Sequence, residues 1–167
     1  MISGLNANGH PVRPLGLPFL FLVGLGLLVA AIPAWGFRPI HVEEDTRLAL
    51  AGYDVVAYHK MGKAVKGVPF YQTTWKGAVW RFRSRQHLEA FRKNPGAYAP
   101  VYGGYCAVSI AAKDPVGCDP TIFVVRQGRL YVFASEEHRQ AWLENPEALE
   151  KKADPFYRQA TEKTAES

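Results

Sequence analysis

The chain is poor in the residues that build closed metal sites and disulfide frameworks: its 167 residues include two Cys, Cys106 and Cys118. Two thiols exclude a four-thiolate site within one chain and leave room for one bridge at most. No GxxxxGK, no GxGxxG and no Ser, His and Asp order of a hydrolase occurs, and Asp54 with Glu89 is not a recognisable acid/base pair. Phosphate-loop, dinucleotide and triad chemistry are thereby set aside. Acidic residues are missing from the first 36 positions, where Arg13 is the single basic side chain, and residues 14–37 contain no charge at all. The 18.6 kDa mass excludes an enzyme with separate cofactor and substrate domains.

That charge-free run of 24 residues is spoken for before any fold is built. Arg13 precedes it, and Arg38 with the acids Glu43, Glu44 and Asp45 follows. This order favours a cytoplasmic N-terminus and a translocated domain, in the periplasm or otherwise outside the cytoplasm. Ala34 and Gly36 suit signal-peptidase cleavage after Gly36, while the length suits an uncleaved transmembrane anchor. Both readings stand, and both place the thiols where they can be oxidised. Residues 1–36 are therefore expected as signal peptide or membrane anchor, an N-terminal apolar helix, and residues 37–47 as a linker.

The remainder holds 19 of the 20 basic and all 15 acidic side chains, enough for one domain. Residues 77–98 laid over residues 128–149, at an offset of 51, give eight identities in 22 positions. The pairs include Phe82 with Phe133, Ser84 with Ser135, His87 with His138, and Asn94–Pro95 with Asn145–Pro146. Such ungapped agreement implies one unit used twice, reading as strand, Ser cap, helix and Asn-Pro stop. Spacing places His87 beneath Ala90 and Phe91, and His138 beneath Ala141 and Trp142, so both imidazoles lean toward an apolar face. They are either hydrogen-bonded helix-start histidines or metal ligands.

Residues 53–59 and 70–75 read as β-type runs, and residues 122–126 and 130–133 flank Gln127–Gly128 as a hairpin. Residues 146–154 read as a short helix and residues 158–167 as a polar tail. Strands and helices mix without a βαβ alternation, so the class is α+β. Gly103 and Gly104 precede Tyr105 and Cys106 in a turn able to present a thiol, although a small buried hydrophobe is the usual fate of a free Cys. Cys118 could pair with it if their Cα atoms come within reach.

Residues 51–67, 75–107 and 128–132 together resemble an exported bacterial YHS domain-containing protein of the YHS/TRASH-like family, with the likeness covering about residues 48–132 and fading toward Tyr157. The resemblance implies a treble-clef-like module over residues 48–157, proposed in relatives to bind metal. Those relatives carry a Phe-Cys-Ser-x-x-Cys pattern where this chain has Phe82-Arg83-Ser84-Arg85-Gln86-His87 and Phe133-Ala134-Ser135-Glu136-Glu137-His138. One thiol is absent from each copy, the other is His, and Gly52, Tyr53 and Asp54 stand where relatives have an upstream Cys pair. In the exported subfamily the Cys106 position is kept, with selenocysteine in some members, which implies a reactive or soft-metal-binding chalcogen.

The expected function is thus a small metal-binding module, for copper or zinc, or a thiol-redox module, with Cys106, His87, His138 and His59 as the metal set. Any catalysis would be thiol or metal redox chemistry at Cys106. The alternative is a non-catalytic envelope interaction domain whose aromatic groove is lined by Trp75, Trp80, Tyr102 and Tyr105. A third reading assigns the basic stretch of residues 76–93, with six Lys or Arg and one acid, to nucleic acid or anionic lipid, although a solvated basic helix face is the plainer account. Translocation argues against nucleic acid. Expected partners are a metal ion or an envelope protein, and the membrane through the N-terminal segment.

Overall fold

The computed structural model describes residues 37–165. Residues 1–36, expected as signal peptide or membrane anchor, lie outside the described residues, and among the described residues no helix is long and apolar enough to cross a membrane. The architecture is α+β, as expected: two separate two-stranded antiparallel sheets and a set of helices. In chain order these are α1 (Val55–Met61), β1 (Val68–Trp75), β2 (Ala78–Phe82), α2 (Arg85–Lys93), α3 (Pro95–Tyr98), α4 (Ala107–Ala111), β3 (Asp119–Arg126), β4 (Arg129–Phe133), α5 (Glu136–Glu144) and α6 (Pro146–Ala165).

The repeat seen in the sequence is a structural duplication, and it reaches further upstream than the identities. Hairpin β1–β2 pairs Val68 with Phe82, then Gln72 with Arg81, with an irregularity between; β3–β4 pairs Asp119 with Phe133, then Phe123 with Val132, with the same irregularity. Both turns hold two residues at positive φ, Lys76–Gly77 and Gln127–Gly128, the requirement of a tight hairpin that matches strand twist. Ser84 and Ser135 each accept a hydrogen bond from the main-chain N–H three residues on, capping α2 and α5. Upstream, Gly52-Tyr53-Asp54 enters α1 as Gly104-Tyr105-Cys106 enters α4. Asp54 N–H donates to Val65 O at 2.8 Å, and Cys106 N–H to Val116 O at 3.0 Å.

Residues 53–59, expected as a β-type run, form α1 instead. Val and Tyr do favour strands, but Asp54 caps the segment, accepting from Val56 N and Ala57 N, and Gly62 closes it in the left-handed region. Burial of Val55, Val56, Ala57 and Tyr58 then decides in favour of helix. The tail is also different: α6 runs 20 residues through Pro155 to Ala165. A proline removes one helical hydrogen bond. Phe156 and Tyr157 beyond it pack on the second core, and Tyr157 donates to Pro39 O at 2.5 Å.

Strand β4 separates two cores. Leu130 and Val132 face the cluster of α1, β2 and α2, whereas Tyr131 and Phe133 face the cluster of Tyr102, Cys106, Ile110 and Trp142. The period-2 alternation of a strand buried on both faces produces this division. Residues 37–42 are strapped to the second half: His41 N–H donates to Gly103 O at 2.9 Å and Tyr105 OH to Arg38 O at 3.1 Å. Gly103, at positive φ, is required there, since a Cβ would lie 2.0 Å from Pro39 O.

Candidate functional site

Each half brings the His of its capped helix onto the N-cap residue of its upstream helix. In the first half the N-cap is Asp54. Its Oδ1 accepts from Val56 N at 2.9 Å and Ala57 N at 3.3 Å, and its Oδ2 accepts from Arg83 N at 2.9 Å. His87 Nδ1–H completes the set at 2.7 Å, with the carboxylate fully buried. A buried carboxylate must be satisfied on both oxygens, and this one is. Both groups are thereby committed to structure.

In the second half the N-cap is Cys106 and the partner is His138, with Sγ 3.3 Å from Nδ1. The sulfur makes no capping hydrogen bond to α4. Cys106 is wholly buried and His138 partly exposed, so the imidazole connects the thiol to the surface. Serine capping holds the His138 main chain, through His138 N–H to Ser135 Oγ at 3.3 Å. A thiol can donate to an imidazole nitrogen, and a thiolate can accept from one, so the pair can hold a proton on either atom. Trp142, one turn after His138, takes the place of Phe91. Its indole N–H is the one buried side-chain N or O atom without a hydrogen-bond partner among the described residues.

The four expected metal ligands divide between different partners. Cys106 and His138 meet; His87 is taken by Asp54; His59 Nε2 sits 3.2 Å from Tyr98 O, its ring edge-on to Tyr98. Burial lowers the His59 pKa, which keeps the ring neutral beside a carbonyl. Among the described residues no group of three or more His, Cys, Asp or Glu is arranged to hold a metal ion. Cys106 and His138 supply two donors, which suits a two-coordinate soft ion and falls short of the four of a closed zinc site.

Both cysteines are free. Burial, with a smaller contribution from Cys106, pushes the Cys118 thiol up to about 12, so it stays protonated and unreactive at neutral pH. Three of the aromatics expected to line a groove are core residues: Trp80, Tyr102 and Tyr105 are buried, and Trp75 alone is partly exposed. Asp54 is the site residue the sequence reading missed. The signal was the Gly-Tyr that precedes both Asp54 and Cys106.

Comparison with protein-family models, with curated proteins and with solved structures gives no match for this chain.

Proposed function

We propose that the domain is a thiol module of YHS type, with Cys106 as the reacting atom and His138 as its proton acceptor. The observation that carries this reading is the 3.3 Å contact between Cys106 Sγ and His138 Nδ1, at the position where the other half has a saturated Asp54 and His87 pair. The duplication supplies an internal control: hairpins of the same register and the same Ser caps, with a carboxylate replaced by a nucleophile. In the proposed step the sulfur attacks one oxygen of a peroxide, the O–O bond breaks, and a sulfenic acid and an alcohol or water form. His138 takes the thiol proton and returns it to the leaving oxygen. Two equivalents of an external low-molecular-weight thiol then restore Cys106: the first condenses with the sulfenic acid to a mixed disulfide and water, and the second displaces Cys106 and leaves as the external disulfide.

The test is oxidation of the full chain by hydrogen peroxide, with dimedone trapping located by peptide mass. The expected adduct is at Cys106 and absent from Cys118. Labelling of both thiols at equal rates, or of neither, overturns the proposal. The same sulfur and nitrogen pair also favours a second reading, in which they hold Cu(I). That reading expects one Cu(I) per chain, lost in Cys106→Ala and retained in His87→Ala.

A further inference from the structure

Three clefts converge on one exposed side chain, Lys76, in the turn between β1 and β2. One of about 460 Å³ runs along Pro39, Tyr157 and Glu162; another of about 390 Å³ lies between Trp75 and Arg129. The third, of about 180 Å³, is bounded by Arg38 and Arg47. Lys76 lines all three, and the clefts together are termed the Lys76 groove. Four cationic side chains border this groove against a single carboxylate, Glu162. Among the described residues only Arg129 of the four has an ion-pair partner, Glu150 at 2.9 Å. The Lys76 ammonium stands 4.9 Å over the Trp75 ring, and Arg47 donates through Nε to Gly77 O at 3.1 Å, so two of the heads are held in place. The apolar part of the lining is Pro39 with Tyr157, in the first of these clefts.

A cationic rim with a partly apolar lining fits a molecule with an anionic head and an apolar body. Pro39 follows the uncharged run of residues 14–37 by two positions in the sequence, and the choice of a lipid rests on reading that run as membrane-associated. We propose that the Lys76 groove binds the phosphodiester headgroup of an anionic phospholipid at the membrane surface, independently of the thiol site. The basic face involved is therefore the hairpin tip with Arg38 and Arg47, and not the surface of α2.

The experiment uses the full chain in neutral detergent micelles, titrated with short-chain phosphatidylglycerol, short-chain phosphatidylcholine or glycerol 3-phosphate. Binding is read by calorimetry and by lipid retained in native mass spectra. Phosphatidylglycerol is expected to saturate one site at least tenfold more tightly than phosphatidylcholine and to weaken steeply in high salt. Lys76→Glu is expected to lower that affinity at least tenfold, and Lys151→Glu on α6 to leave it unchanged. Should Lys76→Glu fail to fold, Arg38→Gln carries the same expectation, because the bond from Tyr105 uses only the Arg38 main chain. Equal binding of the two lipids, or affinity unaltered by these variants, overturns the proposal. Glycerol 3-phosphate binding as tightly as phosphatidylglycerol also overturns it, by assigning the groove to soluble phosphate esters.

Discussion

The two halves of this domain solve the same local problem with different atoms. Each places a helix N-cap beneath the first-turn His of a second helix, and each strings the two across a hairpin of identical register. With Asp54 at the cap, four donors converge on one buried carboxylate and the cap becomes a structural clamp. With Cys106 there, the side-chain capping bonds are gone and the sulfur lies within hydrogen-bonding distance of His138. The first half satisfies a buried carboxylate on both oxygens, and the second leaves a buried sulfur beside one imidazole. The price of the second arrangement includes an indole N–H on Trp142 that has no acceptor, worth about 1–3 kcal/mol of desolvation.

The largest effect that would break this contrast is on stability. Asp54→Ala strips the side-chain cap of α1 and takes the carboxylate partner from Val56 N–H, Arg83 N–H and His87, while Ala57 N–H keeps the Asp54 carbonyl; this costs about 3 kcal/mol or more. Cys106→Ala removes a small apolar group and costs about 1 kcal/mol. Urea denaturation of both variants measures the difference, and equal losses would show that the halves are not divided as described.

Reactivity sharpens the contrast from the other side. His138→Phe keeps an aromatic ring beside the sulfur and removes the proton acceptor, so peroxide oxidation of Cys106 is expected to slow at least about tenfold. His87→Phe loses its Asp54 contact and stability, yet leaves the oxidation rate of Cys106 within about twofold in the folded fraction. A rate insensitive to His138 would reduce the 3.3 Å contact to packing.

A smaller effect concerns pH. Burial holds the His59 pKa below its ordinary 6.5, and His41, packed against Tyr105, is lowered in the same way. The unfolded chain therefore binds these protons more readily than the folded one. Stability is full above about pH 6.5 and falls as pH drops through that value toward the folded pKa. Denaturation midpoints between pH 7.5 and pH 5, in about half-unit steps, should show this decline, and His59→Gln should flatten it. A decline identical in that variant would assign the proton to another group.

Much of this arrangement was legible in the sequence, for reasons that are local. Ser84 and Ser135, the Asn-Pro stops and the Gly turns act within three or four residues, so their pattern alone placed the repeat and its caps. The same locality misled at α1, where Val and Tyr suggested a strand although Asp54 signals a helix start. It misled again at residues 146–154, read as a short helix before a polar tail, where α6 continues through Pro155 and Phe156 and Tyr157 pack on the second core. The match of Gly52-Tyr53-Asp54 to Gly104-Tyr105-Cys106 escaped because its offset is 52 whereas the hairpins repeat at 51. The clamp itself spans 33 positions from Asp54 to His87, a separation no spacing rule covers.

The smallest test asks whether the two hairpin tips are as equivalent as their registers. Gly77 and Gly128 both adopt positive φ, at 71° and 74°, so alanine at either is strained by roughly 1 kcal/mol. Around Gly128 a Cβ would meet nothing within 4 Å, so Gly128→Ala should show that backbone cost alone. At Gly77 the added methyl would stand 3.2 Å from Arg47 Nη2 and press on a guanidinium that also holds the Gly77 carbonyl. Gly77→Ala is therefore expected to cost about 0.5 kcal/mol more than Gly128→Ala. Arg47→Ala in the Gly77→Ala background should erase that excess. An excess that survives the double substitution would mean that the tips differ in backbone strain, and that the duplication is less exact at the Lys76 turn than in the strands behind it.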